Sequence, residues 1–399
     1  MTTELQDIIA QARAAMRSGN WELACSLWST VRKSRPIHPG AYTEGLECLI
    51  RAFRHGEIDS VAEMARNNVG HIPKVQIYLA TLSCRRGYWQ EALKQFEEIH
   101  ASKGKNGPDV TRLTAYRQAL LNTYGILEGN RRLSHLTHRD FMSVELADEH
   151  ASKDRKFVFV SGMPRAGTTA LGHVLNHSAD VALFTEIHIP YLTYAVDSFD
   201  RGLLQNRADA LPTAAPGNML DKAETAKFVG DKRPLFHYMM PQTFEAMANS
   251  SITVFHMLRS VELVAASYQS RALNPKDQWD PLRGLENAID EMNVMHRFIL
   301  DLHRSGSLGQ NHRLIYVDYN KAFSNLDYVL DLFEALGHPV DTQLHRQLAD
   351  YVEHSQSIVS RSRSIAPEVL TALRLRLDRE AAEGVKDITG IDVLGGKLG

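Results

Sequence analysis

The pattern of apolar and polar positions divides this chain of 399 residues into two parts. Up to about residue 140, apolar residues recur at helical spacing and almost no run has the form of a strand. Beyond about residue 150, short apolar runs alternate with helical patterns. The runs are KFVFVSG, DVALFTE, KFVGDK, ITVFHMLR and RLIYVDY. Strands that alternate with helices predict an α/β domain, in which helices cover both faces of a parallel sheet.

Similar phrases recur in the first part of the chain. Three of them place Gly19, Gly56 or Gly87 in a predicted turn before an amphipathic helix. The glycine spacings of 37 and 31 residues bracket the period of tetratricopeptide helix pairs, which is about 34 residues. We therefore predict an all-α, tetratricopeptide-like repeat domain over residues 1–145, with a generic helical bundle as the alternative. Such repeats often present a concave surface, where we expect a protein partner or a second copy of the chain to dock.

A charged stretch, LADEHASKDRK, separates the two parts at residues 146–156. We place the domain boundary near residue 150 and expect the α/β domain to extend over residues 150–370. Residues 371–399 are expected to form a C-terminal helix and tail. The pattern predicts one charged helix over about 366–384, followed by a glycine-rich end that frays.

Composition narrows the class of protein. Charged residues make up 23% and hydrophobic residues 44% of the chain, and the formal net charge is −2. This balance gives no support for a general nucleic-acid or anionic-membrane binder. The chain opens without the pattern of a signal peptide, and no apolar run is long enough to span a membrane, so we expect a cytoplasmic protein. Three widely spaced cysteines, Cys25, Cys48 and Cys84, are expected to be small buried hydrophobes.

The stretch GMPRAGTT lies between a predicted strand and a predicted helix. It has Gly162 and Gly167 five residues apart, followed by Thr168 and Thr169. This spacing matches the phosphate-binding frame GxxxxGK[ST] except at the lysine. Backbone N–H groups and the helix dipole still favour an anion at such a loop. The missing lysine argues against magnesium–ATP, and Arg165 can supply the absent cation.

A second basic pattern follows about ninety residues later. In MLRSVELVAASYQSR, Arg259 ends a predicted strand and Ser267 lies eight residues further on, along a predicted helix. Arg271 follows Ser267 by one helical turn and could join it.

The two stretches together resemble the nucleotide-binding motifs of sulfotransferases that use 3′-phosphoadenosine 5′-phosphosulfate (PAPS). GMPRAGTT is similar to their 5′-phosphosulfate loop, often GxPRSGTT, with Ala166 replacing the common serine. Arg259 and Ser267 match the pair that holds the 3′-phosphate, although the frequent NP after the arginine is SV here. The resemblance implies that the loop residues bind the donor. They are Pro164, Arg165, Ala166, Gly167, Thr168 and Thr169.

This resemblance implies a P-loop-like sulfotransferase domain of the bacterial, repeat-containing type. Such an enzyme moves a sulfuryl group in line to an acceptor hydroxyl, needs no metal, and releases 3′,5′-ADP. A carbohydrate or glycolipid is the favoured acceptor, and a peptidyl tyrosine or another small molecule is the alternative. Two rival functions are a P-loop kinase or NTPase and a non-catalytic repeat scaffold with a nucleotide-binding domain. The kinase or NTPase would need a lysine after Gly167 and a carboxylate for magnesium, and neither is apparent in the sequence.

Candidate catalytic residues follow the second and third predicted strands. TEIHIP resembles a segment of tyrosylprotein sulfotransferases that carries a catalytic glutamate, which makes Glu186 the first candidate for the general base. His188 is the second candidate, since many sulfotransferases use histidine. GDKRP resembles an element whose lysine faces the transferring group. Lys232 is therefore expected to act with Arg165 around the developing charge.

Two later stretches complete the expected cofactor site. RLIYVDYNKAF resembles a strand–helix element in which a tyrosine approaches the adenine or the 3′-phosphate, and Tyr319 matches that tyrosine. HSQSIVSRSRS is a late Ser/Arg cluster of the kind that closes over the 3′-phosphate. Arg361 and Arg363 are its candidates, with a solvated charged loop as the alternative.

Overall fold

The computed structural model describes residues 3–102, 109–136, 156–187, 199, 201–306, 308, 310–359 and 365–395. The chain divides into two compact units. One comprises Met1–Thr123 with Tyr268–Asn287, and the other comprises Tyr124–Ser267 with Ala288–Gly399. The predicted linker lies outside the described residues apart from Lys156. Among the described helices, none combines the length and the apolar character that crossing a bilayer requires.

The first unit is built from helices, with no strand among its described residues. They are α1 Thr3–Arg17, α2 Trp21–Ser34, α3 Pro39–Arg51, α4 Ile58–Val69, α5 Pro73–Arg85, α6 Trp89–Ser102 and α7 Thr114–Tyr124. Gly19 and Gly87 have φ values of 73° and 80° and form the turns before α2 and α6, as predicted. Gly56 lies instead in a short 3₁₀ helix, His55–Glu57. The relation of these helices to tetratricopeptide repeats stays a prediction.

Aromatic residues fill the core of the helical unit. Trp28 and Tyr42 are completely buried, and the Tyr42 hydroxyl donates to the Pro36 carbonyl at 2.8 Å. Cys25 and Cys48 are buried in the same apolar cluster, and burial raises the pKa of the Cys48 thiol to about 12. The expectation that the cysteines serve as small buried hydrophobes is confirmed for these two.

A distant segment of the chain completes the helical unit. Within Tyr268–Asn287, Asp280 accepts two hydrogen bonds from the Arg85 guanidinium, at 2.8 and 3.0 Å. The Asn287 amide donates to the Arg85 carbonyl at 3.1 Å, and Leu282 packs against the helical core. A single boundary near residue 150 does not describe this division, because the segment returns to the first unit from more than a hundred residues further along.

The second unit contains five strands and the remaining helices, except for the helical residues within Tyr268–Asn287, which belong to the first unit. The strands are β1 Lys156–Gly162, β2 Val181–Thr185, β3 Phe228–Lys232, β4 Ile252–Leu258 and β5 His312–Asp318. The helices are α8 Ile126–Leu136, α9 Thr168–Asn176, α10 Arg201–Ala210, α11 Met219–Thr225, α12 Met240–Ala246, α13 Val261–Ala272, α14 Leu285–Ser305, α15 Tyr319–Ala322, α16 Leu326–Leu336, α17 Thr342–Val359, α18 Pro367–Arg376 and α19 Arg379–Thr389. All five predicted strands are confirmed to within about a residue at each end.

The strands form one parallel sheet in the order β2-β3-β1-β4-β5. β1 occupies the centre, between β3 and β4. Its successor β2 lies on one side of it, and the chain crosses to the other side only at β4. In open parallel sheets, ligands bind at the carboxyl ends of the strands where the order reverses. The end of β1 is therefore the place to look for a site.

The C-terminal region differs from its prediction in one way. The single helix expected over 366–384 is two helices, because Leu377 is extended and the Asp378 side chain caps α19 by accepting from the Ala381 amide at 3.0 Å. The glycine-rich end that is expected to fray lies outside the described residues apart from Gly395. Just before it, Val393 is buried and its carbonyl accepts the Val261 amide at 2.9 Å.

Gly230 provides a test of how tightly β3 and β1 approach. A Cβ added at Gly230 would lie 1.5 Å from the Val158 carbonyl oxygen, so the two strands would have to separate. We expect Gly230→Ala to lower the free energy of unfolding by about 3 kcal/mol or more, measured by urea titration. The matched control is Gly56→Ala, where an added Cβ meets no atom within 4 Å. Equal stabilities for the two variants would contradict the packing.

Candidate functional site

The loop after β1 is held in a shape that most residues do not adopt. Gly162 has a φ of 143°, and an added Cβ would lie 2.7 Å from the Met257 carbonyl oxygen on β4. Gly167 has a φ of 99° and forms the N-cap of α9. Within the loop the Ala166 amide donates to the Met163 carbonyl at 3.0 Å, which tightens the turn. The loop thus leads directly into the positive end of the α9 dipole, an arrangement that favours anions.

Both threonines follow Gly167 in the first turn of α9, but their environments differ. Thr168 is buried, whereas Thr169 is exposed. Pro164 and Ala166 are buried as well, so the missing serine hydroxyl at position 166 would have had little access to solvent. The backbone, Thr168 and Thr169 therefore supply the polar groups at this loop.

Arginine side chains converge on the β4 side of the loop. The Arg165 Nε donates to the Ser267 Oγ at 3.0 Å, and an Arg259 Nη donates to the Arg165 carbonyl at 2.6 Å. Arg259 ends β4 and Ser267 lies on α13, so three separate segments meet here. Two guanidinium groups and a hydroxyl in one place form a binding site suited to a phosphate. The predicted Arg259–Ser267 pair is joined by Arg165, which sequence reasoning had placed with Lys232.

Tyr319 closes the other side of this cluster. The Arg259 guanidinium carbon lies 4.1 Å from the centroid of the Tyr319 ring, within cation–π range. An added Cβ at Gly167 would lie 2.7 Å from carbons of the same ring. Glycine is therefore required at position 167 for two reasons, its positive φ and the close approach of Tyr319.

On the β3 side of the loop, Lys232 and Glu186 form an ion pair. The Lys232 Nζ donates to a carboxylate oxygen of Glu186. Lys232 is only 2% exposed at the end of β3, whereas the Glu186 side chain at the end of β2 is 29% exposed. A buried ammonium needs a partner, which the Glu186 carboxylate supplies, and the Glu186 side chain remains partly exposed to solvent.

Some candidates lie elsewhere or outside the described residues. His188, Arg361 and Arg363 are not among the described residues. Arg271 belongs to the helical unit, where it pairs with Asp277 at 2.9 Å and lies over the Trp279 ring at 5.5 Å. In the part of the chain that the structure describes, no cluster of histidine, cysteine and carboxylate side chains has the arrangement of a metal site.

Sequence reasoning overlooked a group of buried histidines beside β1. The His256 Nδ1 lies 3.1 Å from the Ser161 Oγ, and the His237 ring lies 5.8 Å from the His256 ring. His237, His256 and His296 are all completely buried, and burial lowers the pKa of His256 to about 3 and that of His296 to about 4. The position of His256 within the apolar run ITVFHML was the available signal. All three rings are therefore neutral near pH 7.

Comparison with known proteins finds similarity to this chain in structure but not in sequence. No family model and no curated protein sequence matches it. In structure it is similar to a sulfotransferase of Mycobacterium avium (TM-score 0.36, 12% identity, 78% of this chain and 98% of that one). It is also similar to a sulfotransferase of Mycobacterium tuberculosis (0.33, 14%, 76% and 98%) and to the sulfotransferase domain of the Synechococcus PCC 7002 olefin synthase (0.34, 15%, 56% and 96%).

The buried histidines make stability depend on pH. Their pKa values are lowered in the folded protein, whereas an unfolded histidine titrates near pH 6.5. The stability that they contribute is complete above about pH 6.5 and is lost as the pH falls toward the folded values. Each histidine should lower the free energy of unfolding by up to roughly 1 kcal/mol per pH unit in that window.

Urea unfolding between pH 7.5 and pH 5 measures this dependence. His256→Gln removes one titrating group and should flatten the pH slope, whatever it does to stability at pH 7.5. His345→Gln is the control, because His345 is exposed and its replacement should leave the slope unchanged. A slope that His256→Gln does not reduce would show that this ring is not kept neutral by burial.

Proposed function

We propose that the chain is a sulfotransferase that moves a sulfuryl group from PAPS to an acceptor hydroxyl. The observation that carries the proposal is the arrangement of cations on the two sides of one anion-binding loop. Arg165, Arg259 and Ser267 meet on the β4 side, and Lys232 with Glu186 lies on the β3 side. A donor with one phosphate away from its reactive end matches this division better than a linear triphosphate, which needs cations along one chain of phosphates.

The residues present fit such a donor. The backbone of the loop after β1, Thr168 and Thr169 would hold the 5′-phosphosulfate, and Arg165, Arg259 and Ser267 would hold the 3′-phosphate. Tyr319 offers a ring against which a base could stack, and Arg259 already lies on that ring. When bound, the donor supplies the sulfuryl group and leaves as 3′,5′-ADP.

Glu186 and Lys232 have complementary tasks in this proposal. The partly exposed Glu186 carboxylate would accept the proton of the acceptor hydroxyl, since a general base has to reach the acceptor. The buried Lys232 ammonium would donate to the oxygen on which negative charge accumulates as the bond to the leaving group breaks.

The acceptor class is the finer part of the proposal. We favour a carbohydrate or glycolipid hydroxyl, with a peptidyl tyrosine as the alternative, on the sequence resemblance alone. Phe236 and His237, which follow the DKRP stretch, are both completely buried. Phe236 stacks on Phe159 of β1 at 4.6 Å. These two side chains therefore belong to the core and do not form part of an acceptor surface. Labelled PAPS offered with glycan, lipid, phenol and peptide acceptors would identify the class.

Ligand binding tests the donor assignment first. We expect 3′,5′-ADP to raise the melting temperature of the wild-type protein and magnesium–ATP to leave it unchanged. Arg259→Ala should weaken 3′,5′-ADP binding by about 10-fold or more, measured by calorimetry, because a charged hydrogen bond to phosphate is lost. The control is Arg304→Ala, a solvent-exposed arginine on α14.

The other outcomes point to the rival functions. Stabilisation by magnesium–ATP alone would indicate a kinase or NTPase and overturn the proposal. A folded protein that binds neither nucleotide would support a non-catalytic scaffold. Normal 3′,5′-ADP binding by Arg259→Ala would show that the 3′-phosphate is held elsewhere.

Glu186→Gln tests the identity of the base. The amide keeps an oxygen that can accept from Lys232 but cannot take a proton, so turnover should fall by about 100-fold or more. The dissociation constant of 3′,5′-ADP should stay within about 2-fold. Glu353→Gln, on the exposed face of α17, should retain full turnover. If Glu186→Gln keeps wild-type turnover, the base role passes to His188.

A further inference from the structure

Glu186 has an unusual backbone conformation. Its φ is 61°, in the left-handed region that a side chain with a Cβ rarely adopts. Such a residue costs about 1 kcal/mol or more and persists only where its surroundings hold it. Only three other described residues besides glycine share a positive φ, and two of them, Arg165 and Leu235, also follow strands of this sheet. The strain therefore lies where the strands end.

Two hydrogen bonds to acceptors on β3 hold this conformation. The Glu186 amide donates to the Lys232 carbonyl at 3.0 Å, which extends the ladder of β2 and β3 by one residue. The next amide, that of Ile187, leaves the ladder and donates to the Oδ1 of Asp231 at 3.1 Å. Asp231 is completely buried, so this side chain replaces the backbone acceptor that a continuing strand would have used.

We propose that Asp231 is a positioning residue, which fixes the backbone at Glu186 so that its carboxylate meets Lys232. The inference rests on the proposed function, in which Glu186 is the base. Asp231 and Lys232 are neighbours on β3, and their side chains act on neighbouring parts of the same turn. One holds the Ile187 amide and the other pairs with the Glu186 carboxylate. A single dipeptide of β3 thereby sets both the backbone and the side chain of the base.

The charge of Asp231 has a second task, which has to be separated from the first. Arg233 lies two residues further on and is buried. Burial lowers the pKa of Arg233 to about 10, and the nearby Asp231 carboxylate partly opposes this lowering. Removing the Asp231 charge would therefore destabilise the fold in any variant. A pair of variants that both lose the charge, but differ in the hydrogen bond, cancels this effect.

Asp231→Asn and Asp231→Ala form that pair. The asparagine keeps an oxygen that can accept from the Ile187 amide, and the alanine does not. We expect kcat to stay within about 3-fold of wild type in Asp231→Asn and to fall by about 10-fold or more in Asp231→Ala. The KM for PAPS and the dissociation constant of 3′,5′-ADP should change by less than about 3-fold in both. Equal kcat values for the two variants would overturn the positioning role.

Hydrogen exchange supplies a readout that does not depend on turnover. In protein labelled with ¹⁵N-isoleucine, the Ile187 amide should exchange slowly in wild type and Asp231→Asn, and about 10-fold or more faster in Asp231→Ala. The Ile252 amide in β4 donates to the Asn311 carbonyl and is the internal control for global unfolding. Equal protection of Ile187 in all three proteins would show that the Asp231 hydrogen bond does not hold this amide, even if kcat falls.

The two proposals fail in different ways. If Ile187 exchange behaves as expected but the wild type transfers no sulfuryl group and binds no 3′,5′-ADP, the proposed function is wrong. The hydrogen bond of Ile187 to Asp231 then has a structural role only. If the wild type is active and Asp231→Ala keeps full kcat, the function stands and the positioning role is wrong.

Discussion

The site depends on the close hydrogen-bonded contact of β1 with β3 on one side and β4 on the other. Gly230 lets β3 approach Val158, and Gly162 lets the end of β1 approach Met257 on β4. Because all strands run in parallel, this contact brings their carboxyl ends to one edge. Glu186, Lys232 and Arg259 could not approach the loop after β1 otherwise, since stretches of chain separate them from it.

The charged groups on the two sides of the loop have different partners. On the β3 side, Lys232 is buried and needs the Glu186 carboxylate, because an isolated ammonium in an apolar surrounding costs several kcal/mol. On the β4 side, Arg165 and Arg259 donate to a hydroxyl and a carbonyl, which carry no full charge. The β4 side thus brings together two guanidinium groups and a hydroxyl, and the β3 side holds one ion pair.

Patterns of local origin were visible in the sequence. The five strands follow from short apolar runs, and the tight loop after β1 follows from the spacing of Gly162 and Gly167. Contacts over long distances were not visible. The hydrogen bond of Arg85 to Asp280 joins residues far apart in the chain and has no local pattern. The boundary between α18 and α19 depends on the Asp378 side chain, which caps α19. His256 was hidden because a buried histidine in a strand looks like any interruption of an apolar run.

By itself, the sequence determined the five strands and the residue types at their ends, because strand periodicity and turn chemistry act over a few neighbours. It also placed Arg259 and Ser267 at a strand–helix junction. Only the tertiary structure decided which of these residues meet. Arg165 donates to Ser267, and Glu186 pairs with Lys232. Glu186 itself has a left-handed backbone, and the Ile187 amide that follows it donates to Asp231 of β3. Such pairings depend on strand order and register, which arise from packing between residues far apart in the chain.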